Sequence, residues 1–286
     1  MSNKKPFAIL GTGICHGQPK PGVEKGYHYL ELMGLWEKMA KVHPRLKNFG
    51  NLQFSPNEPA KAYNDLFHKT LEIHNSGFRP ALIGGDHSQA FSTISALLNI
   101  YPDLKILWVD AHGDMNTPKT SPSGNLHGMP LSGLLGLVPK EDWGMPWLNQ
   151  LLRADQVIQL GVRDIDHGEQ ELMDEYGIEY YSPSQVREKG LNHILDDIVK
   201  RWAGAPCHLS FDIDGLDSSL VPATGTPVGQ GLNMDEGLQI IDTVKGHFNF
   251  VSFEVVEFNP DLAKNQQELE TTEANVCRLI EAMLAD

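Results

Sequence analysis

The segment LWVDAHGDMN, residues 107–116, passes directly from an apolar run into closely spaced charged residues. Side chains of an extended backbone alternate between two faces, so Asp110, His112 and Asp114 would converge on one side. Two carboxylates and an imidazole converging beside a core are unfavourable unless another group compensates their charge. The spacing therefore predicts a buried strand that ends at a bound metal cation.

Apolar, strand-like runs recur along the chain and alternate with helical patterns. The predicted strands, of which the second and sixth are weaker, are 7–11, 48–54, 80–85, 105–110, 157–161, 177–182, 207–214 and 250–257. The predicted helices are 27–42, 57–77, 88–100, 129–137, 167–175, 191–203, 233–246 and 265–284. This alternation favours a three-layer α/β fold, in which a mostly parallel sheet has helices on both faces. Because no linker-like segment divides the chain, we expect a single domain over residues 1–286.

Composition excludes several classes of partner. The 286 residues carry a formal net charge of −14, and the absence of a long basic run disfavours nucleic acid and anionic membranes. The three widely spaced cysteines, Cys15, Cys207 and Cys277, predict neither a disulfide framework nor a thiolate zinc site, and they favour a reducing, cytoplasmic location. No run approaches the roughly 18 apolar residues of a membrane span, and the N-terminus is interpreted as a first strand rather than a signal peptide.

Two further motifs place acids or histidine after predicted strands. SFDIDGLD, residues 210–217, contains Asp212 and Asp214, and GGDHS, residues 84–88, contains His87. Taken alone, a D-x-D pair indicates a solvated turn and His87 an ordinary loop histidine. In open α/β sheets, however, ligands bind beyond the carboxyl ends of the strands, where all these residues are predicted to lie.

Together the motifs offer two imidazoles and four carboxylates, from His87, Asp110, His112, Asp114, Asp212 and Asp214. Four carboxylates balance the charge of two divalent cations. Carboxylate-rich ligation with some imidazole suits Mn²⁺, whereas the absence of thiolate argues against structural zinc. Two metals about 3.5–4 Å apart typically activate a bridging water for attack on an electrophile. The sequence therefore predicts a two-metal hydrolytic centre.

The motifs GGDHS, DAHGDMNTP, SGNLHG, GVRDID and SFDIDGLDSSLVPATGTPVGQGL closely resemble those of the arginases of the ureohydrolase superfamily. GQPKPGVEKG near the start and VVEFNP near the end do so too, and the order of motifs is the same along nearly the whole chain. The resemblance implies an arginase-like fold and two Mn²⁺ ions per subunit. It also implies that a metal-bridging hydroxide hydrolyses the guanidinium group of L-arginine, giving L-ornithine and urea.

The resemblance also implies roles for the predicted ligands. His87 and Asp114 would hold one Mn²⁺, and Asp114 would also take part in catalysis. His112 and Asp214 would hold the other Mn²⁺.

Other positions would bridge the ions or act on the reacting end of the substrate. By resemblance, Asp110 and Asp212 bridge both cations, and His127 of SGNLHG is the proton shuttle. An imidazole suits that role because its pKa lies near neutrality. Glu257 would pair with the substrate guanidinium, and Thr226 would hydrogen-bond the same group. Judged alone, His127 is more simply a loop histidine and Glu257 a surface carboxylate.

The amino-acid end of the substrate needs its own polar groups. By resemblance, Asn116 and Ser123 bind the α-carboxylate, with Asn125 beside them. Asp166 would face the α-amino group, and Glu169 would act there through water. Without the resemblance, each of these five would be an unremarkable loop residue.

Three departures from the family pattern stand in loops of the predicted site. Gly113 occupies a position where threonine or serine is typical, Ser218 one where proline is usual, and Gln230 one where glycine is common. None of them removes a predicted ligand. They bear on loop rigidity and kinetics rather than on the reaction.

Three alternative functions remain to be weighed. An agmatinase or another guanidino-acid hydrolase would keep the metal ligands, although SGNLHG argues against it. A two-metal phosphoesterase would need basic groups near the metals, where Glu257 is expected instead. A non-catalytic scaffold would not need a complete ligand set with His127. The sequence does not distinguish Mn²⁺ from Co²⁺, Fe²⁺ or Ni²⁺, and the homo-oligomer that the family implies is a trimer or a hexamer.

Overall fold

Eight strands form the sheet of the computed structural model, which describes residues 5–285; residues 1–4 and 286 of the predicted domain lie outside it. The strands are β1 Phe7–Thr12, β2 Lys47–Leu52, β3 Arg79–Ile83, β4 Lys105–Val109, β5 Val157–Leu160, β6 Glu179–Tyr181, β7 Pro206–Asp212 and β8 Asn249–Val256. Neighbouring strands run parallel in the order β2-β1-β3-β8-β7-β4-β5-β6. The predicted α/β fold with a mostly parallel sheet is confirmed.

Helices connect the strands. They are α1 Gly26–Leu32, α2 Leu35–Val42, α3 Pro59–Asn75, α4 Ala90–Leu98, α5 Pro130–Leu134, α6 Lys140–Trp143, α7 His167–Tyr176, α8 Pro183–Lys189, α9 Leu191–Trp202, α10 Met234–His247 and α11 Gln266–Leu284. Across residues 5–285, no helix combines the length and the hydropathy that crossing a bilayer requires.

The sheet lies between two hydrophobic cores. Along β4, Leu107 and Val109 enter one core, while Ile106 and Trp108 enter the other. Alternate side chains of a strand point to opposite faces, so a strand buried on both sides must be apolar at consecutive positions. This explains why the predicted strands are continuous apolar runs instead of alternating ones.

The predicted helices differ from the structure at 27–42 and in the absence of α6 and α8. The predicted helix 27–42 is wrong as a single element: it is broken into α1 and α2 at Gly34, whose φ of 81° is incompatible with a continuous right-handed helix. Helix α8 was not predicted, although its start is readable in the sequence. The Ser182 hydroxyl accepts from the Gln185 backbone N–H, and the Gln185 side chain accepts from the Ser182 N–H. That reciprocal pair is a capping box, followed here by proline in the first turn.

The order of the strands explains how distant motifs meet. Strands β3, β8, β7 and β4 are neighbours in the sheet. Because they are parallel, their carboxyl ends lie at the same edge, and the motifs 84–88, 257–260, 212–217 and 110–116 follow them there. The edge beyond these four strands is therefore the expected ligand site of the fold.

Candidate metal centre and active site

Two overlapping sets of side chains at this edge are arranged to hold metal ions. The first set is His87, Asp110 and Asp114, and the second is Asp110, His112 and Asp214. The ligand atoms within each set lie within 4.8 Å of one another, and Asp110 belongs to both. All five are buried except His112, whose side chain is 23% exposed. The structure thus brings together five of the six predicted ligands.

Asp212, the sixth predicted ligand, lies beside the first set. Its Oδ2 atom is 3.3 Å from His87 Nδ1, and its Oδ1 atom accepts a hydrogen bond of 2.8 Å from the Asp214 backbone N–H. The side chain is buried with the others. Its contact with His87 fits a ligand of the first ion, and its bridging role stays a prediction.

The imidazole of His87 is held in one orientation. It stacks on Trp108 with ring centroids 4.1 Å apart and an interplanar angle of 12°. Its Nε2 atom lies 2.8 Å from Ser210 Oγ, and the Ser210 hydroxyl donates to Glu254 Oε1 at 2.8 Å. Because a hydroxyl has only one hydrogen to give, His87 Nε2–H is the donor to Ser210. This arrangement turns Nδ1 towards the carboxylates, as a histidine ligand requires.

Glu254 anchors this chain of hydrogen bonds. It is fully buried on β8 and also accepts from Gln89 Nε2 at 3.1 Å and Thr93 Oγ1 at 2.9 Å. Burial would raise the pKa of Glu254, but hydrogen bonds from His208 and Ser210 hold that pKa below its usual value. A carboxylate with this many donors is ionised and immobile. His208 is itself fully buried in the interior.

The second set differs from the first because its histidine, His112, is partly exposed to solvent. The His112 backbone N–H donates to Asp110 Oδ1 at 2.8 Å, and His112 Nδ1 lies 3.2 Å from that oxygen and 3.4 Å from Asp214 Oδ2. On the outer side, His112 Nε2 is 3.8 Å from Asp164 Oδ2, a carboxylate that is 66% exposed. Sequence reasoning missed Asp164, although it lies in GVRDID two positions before Asp166.

The electrostatics of the cluster favour a bound cation. Burial, followed by the charges of neighbouring aspartates, raises the pKa of Asp212 well above its usual range; burial likewise raises that of Asp114 and brings that of Asp214 to about 6. Burial lowers the pKa of His87, but the adjacent carboxylate of Asp110 outweighs it and raises that pKa to about 9. A divalent cation would relieve the repulsion and displace these protons.

Two buried atoms at the centre point to the same conclusion. Neither His87 Nδ1 nor Asp114 Oδ2 has a well-aligned hydrogen-bond partner in the part of the chain that the structure describes. Buried polar atoms without partners are rare in proteins and require an explanation. Nitrogen and oxygen donors facing one another at these distances fit divalent transition metals, and so the residues present suit the ions that the sequence implies.

Among residues 5–285, three non-glycine residues adopt left-handed backbone conformations, and two of them carry predicted site carboxylates. They are Asp114 with φ of 52°, Gln230 with φ of 62° and Glu257 with φ of 70°. Neighbouring backbone fixes the two that carry predicted site carboxylates: Asp114 O accepts from the Leu131 N–H, and the Glu257 N–H donates to Gly85 O. Such strained positions concentrate at functional sites, where the surrounding structure enforces them.

Glu257 lies next to the first set, and both of its carboxylate oxygens have hydrogen-bond contacts. Its Oε1 atom accepts from the His87 backbone N–H at 2.9 Å and lies 3.1 Å from His127 Nδ1, while Oε2 accepts from Gln18 Nε2 at 2.7 Å. Despite burial, the hydrogen bond with His127 lowers the pKa of Glu257 and raises the pKa of His127. Sequence reasoning missed Gln18, the second residue of GQPKPGVEKG.

His127 and Thr226 occupy the boundary between the cluster and solvent. The His127 side chain is 15% exposed, so one imidazole touches both Glu257 and the surface. Thr226 Oγ1 donates to Asp214 Oδ2 at 3.0 Å. The structure therefore places the Thr226 hydroxyl on a metal-set carboxylate, and its predicted contact with the guanidinium group stays a prediction.

The residues predicted for the amino-acid end form a rim of linked loops. Asn116 Nδ2 donates to Asp166 Oδ2 at 3.0 Å. Glu169 Oε1 accepts from the Met115 N–H at 2.9 Å and Oε2 from the Asp166 N–H at 3.3 Å. Burial raises the pKa of Glu169 to about 7. Glu169 thus ties the loop of Asn116 to the loop of Asp166, and its predicted action through water stays a prediction.

The remaining rim residues lie nearer the surface. Ser123 is exposed and Asn125 is half-buried. The Ser123 hydroxyl accepts from the Asn125 backbone N–H at 3.2 Å, which shapes the turn between them. Their predicted contacts with the α-carboxylate stay predictions.

Two of the departures from the family pattern have local physical reasons. A Cβ atom on Gly113 would lie 2.8 Å from Met173 Sδ and 2.9 Å from Glu169 Cδ, so these neighbours leave no room for a side chain. The Ser218 backbone N–H donates to Val228 O at 3.3 Å, a bond that proline cannot make. At Gly113, neighbouring side chains fill the space that a side chain would need, and at Ser218 the backbone gains a hydrogen bond that proline would lack.

The comparison with known protein families agrees with this geometry. The family model described as "Arginase family" matches residues 5–285. The chain belongs to the arginase family. Arginase-1 of Homo sapiens is 36% identical over 291 residues, which cover 95% of this chain and 90% of that protein.

Solved structures of arginases share the whole fold. The arginase of Bacillus caldovelox has a TM-score of 0.84 and 30% identity, with 99% of both chains covered. An arginase of Entamoeba histolytica, solved in complex with L-ornithine, has a TM-score of 0.86 and 28% identity, with both chains fully covered. A hypothetical agmatinase from Burkholderia thailandensis, with a TM-score of 0.75 and 22% identity over 96% of this chain and 84% of that one, is similar in fold alone.

Proposed function

We propose that this arginase-family chain, acting as one domain, hydrolyses L-arginine to L-ornithine and urea. The observation that carries the proposal is the pair of overlapping His/Asp sets beside the buried, ionised carboxylate of Glu257. A cationic substrate matches an acidic site. When bound, two Mn²⁺ ions would supply Lewis acidity and activate water. The residues that would hold them are His87, Asp110, His112, Asp114, Asp212 and Asp214.

The chain's own residues would bind the guanidinium group and move protons. Glu257 accepts hydrogen bonds only, so its carboxylate is suited to the N–H donors of a guanidinium group. His127 lies 3.1 Å from Glu257 and reaches the surface, so it can carry a proton between the reacting end of the substrate and solvent. An imidazole can serve in both directions because its unperturbed pKa lies near neutrality, and the contact with Glu257, which raises the pKa of His127, favours the proton-carrying form before transfer.

The rim would hold the amino-acid end of the substrate. Asn116 and Asp166, joined by a hydrogen bond of 3.0 Å, provide an amide for the α-carboxylate and a carboxylate for the α-ammonium. Ser123 and Asn125 lie on the same loop as Asn116 and add further polar groups at the surface. Glu169 holds the two loops at a fixed separation.

The charge around the cluster opposes the phosphoesterase alternative. Glu257 and Asp164 add carboxylates beside the metal sets, whereas phosphate would require cations. The guanidinium group of Arg163 approaches the same region, but it donates to the backbone carbonyls of Asp214 and Val228. The carboxylates of Glu257 and Asp164 therefore make this region attract a cation rather than a phosphate.

The discriminating experiment compares L-arginine with agmatine, which lacks the α-carboxylate. A site built to bond a polar group rejects an analogue without it by about 10⁴–10⁵-fold. We expect Mn²⁺-loaded protein to release urea from L-arginine and to show a far lower kcat/KM for agmatine. Comparable values would assign the chain to the broader guanidino hydrolases. Absence of urea, together with hydrolysis of a phosphate ester, would favour the phosphoesterase.

We also propose two Mn²⁺ ions per chain, a cytoplasmic location and a homo-oligomer, either a trimer or a hexamer, with no nucleic acid or membrane as partner. Elemental analysis of protein purified without added metal would give the identity and number of the ions. Light scattering coupled to size exclusion would give the number of chains. A protein with less than one transition-metal ion per chain, or a strict monomer, would contradict these proposals.

A further inference from the structure

The N-terminal loop places a buried amide between two elements of the proposed guanidinium site. Gln18 is only 9% exposed, and its Nε2 atom donates to Glu257 Oε2 at 2.7 Å. Its Oε1 atom faces the other way, towards Gly225, where a Cβ atom would lie only 2.8 Å from it. The amide is therefore enclosed, with Glu257 on one side and the backbone of Gly225 on the other.

A second contact joins the same two loops. Lys20, two residues after Gln18, donates through Nζ to Gly225 O. Gly225 precedes Thr226, whose hydroxyl donates to Asp214. The segment that contains Gln18 and Lys20 consequently packs against both Glu257 and the loop of Thr226.

The two carboxylate oxygens of Glu257 have different hydrogen-bond partners. Oε1 receives a fixed backbone N–H from His87 and lies beside His127, which is proposed to carry protons. Oε2 receives the Gln18 amide. A neutral amide orients a carboxylate without cancelling its charge, which leaves the full negative charge for a substrate cation. The left-handed backbone of Glu257 makes such a restraint more important, because the strained residue must be held by its surroundings.

We propose that Gln18 is a positioning residue for recognition of the guanidinium group. It fixes Oε2 of Glu257 and keeps the loop of Gly225 and Thr226 at the correct distance from it. The inference rests on the proposed function, because it concerns the guanidinium end of the same substrate. Gln18 acts through Glu257, and it lies apart from the rim at Asn116 and Asp166 that would bind the amino-acid end.

The test separates the two ends of the substrate by direct binding. Gln18→Met keeps the length of the side chain and removes the donor. Because a hydrogen bond to a charged group is worth enough to change affinity by roughly tenfold to a hundredfold, we expect a loss of about tenfold in affinity for the guanidinium ion. Affinity for L-norvaline, an α-amino acid with an uncharged side chain, should stay within about twofold. Isothermal titration calorimetry on Mn²⁺-loaded protein gives both values.

The control is a second buried glutamine with a purely structural bond. Gln156 is fully buried before β5, and its Nε2 atom donates to Leu104 O at 2.8 Å. Gln156→Met should lower the melting temperature and leave both affinities unchanged. Elemental analysis of each variant should show an unchanged Mn²⁺ content, which excludes an indirect effect through the metal sets.

Two results would overturn the inference. One is an equal loss of affinity for the guanidinium ion and L-norvaline in Gln18→Met, which would indicate a general collapse of the loop. The other is no change in either affinity. Calorimetry requires no turnover, so these results stand apart from the proposed function, which fails separately if the unaltered protein makes no urea. In an active protein, Gln18→Met should raise KM for L-arginine more than it lowers kcat.

Discussion

The metal sets and the rim differ in how their side chains are held. His87 and Asp110 are buried at strand ends, and Trp108, Ser210 and Glu254 fix the imidazole from within the sheet. At the rim, by contrast, the side chains are bonded mainly to loops, and their burial varies from exposed Ser123 and Asp166 to buried Glu169. The sheet therefore fixes the groups that would perform the reaction, whereas loops that can vary without disturbing the fold would select the substrate.

This division bears on how substitutions in the two regions should be tolerated. The structure described as a hypothetical agmatinase shares the fold at 22% identity, with a TM-score of 0.75. Loops tolerate substitution better than a buried cluster whose members compensate one another's charge. Substitutions should consequently have effects that decrease from the cluster towards the rim.

The largest effect is expected at Asp110, the residue common to both metal sets. Asp110→Ala removes a ligand from each set, so we expect loss of Mn²⁺ and of essentially all urea production. Mn²⁺ should raise the melting temperature of the unaltered protein much more than that of the variant, because ligand binding stabilises the folded state. Elemental analysis and thermal scans with and without Mn²⁺ measure both effects.

Asp235→Ala serves as the control, because its side chain is 92% exposed and distant in sequence from every ligand. It should retain activity and the thermal response to Mn²⁺. Two fully occupied metal sites in Asp110→Ala would refute the shared role of this carboxylate.

The next effect is expected at His127, which lies between the cluster and solvent. His127→Asn should retain the metal ions and lower kcat by about 10²–10⁴-fold, the usual contribution of a general acid or base. Added imidazole should restore part of the rate. His167→Asn, on a side chain that is 89% exposed, should behave like the unaltered protein. Loss of Mn²⁺ in the variant would instead identify His127 as a ligand.

A smaller effect is expected from removing the hydrogen-bond partner that orients His87 inside the sheet. Ser210→Ala removes the hydroxyl that joins the imidazole to Glu254, and loss of such a partner typically lowers metal affinity or activity by about 10–100-fold. Competition with a chelator would measure the Mn²⁺ affinity. Ser252→Ala is the matched control, since Ser252 is also buried in a central strand and its hydroxyl has no hydrogen-bond partner among residues 5–285. Equal Mn²⁺ affinities in the two variants would show that Ser210 does not support the site.

The smallest effect is expected at the rim. Ser123→Ala should raise KM for L-arginine by about two- to tenfold, because one exposed hydrogen bond is lost, and should leave kcat unchanged. Steady-state kinetics measures both constants, and Ser184→Ala on α8 is the control. A large fall in kcat would mean that the rim participates in the reaction, and the division between cluster and rim would then fail.

The sequence was most informative where local patterns coincide with strand ends. Apolar runs followed by D-x-H-x-D, D-x-D and GGDHS predicted the parallel sheet and six proposed ligands at strand ends, of which the structure gathers five into the two metal sets and places Asp212 beside them. It was least informative for the supporting groups. Ser210 and Glu254 are polar residues inside apolar strands, and no periodicity distinguishes them from core positions.

Some contacts depend on residues that are far apart in the chain. Gln18 and Glu257, separated by 239 positions, meet only because β1 and β8 both flank β3. Asp164 contacts His112 through the adjacent loops of β4 and β5. Spacing within one segment cannot reveal such pairs, whereas the break at Gly34 and the capping box at Ser182 are local signals that the sequence does contain.

At the three non-glycine residues with left-handed backbone, thermal stability and the proposed reaction can favour different side chains. A non-glycine residue in this conformation costs roughly 1–2 kcal/mol, which glycine would largely recover. Gln230 is exposed and is not part of the proposed site, so replacing it with glycine should stabilise the fold without removing a functional group. At Asp114 and Glu257 the same exchange would remove a carboxylate that the proposed reaction needs. Selection for higher thermal stability with retained activity should therefore replace Gln230 and keep Asp114 and Glu257 in their strained conformations.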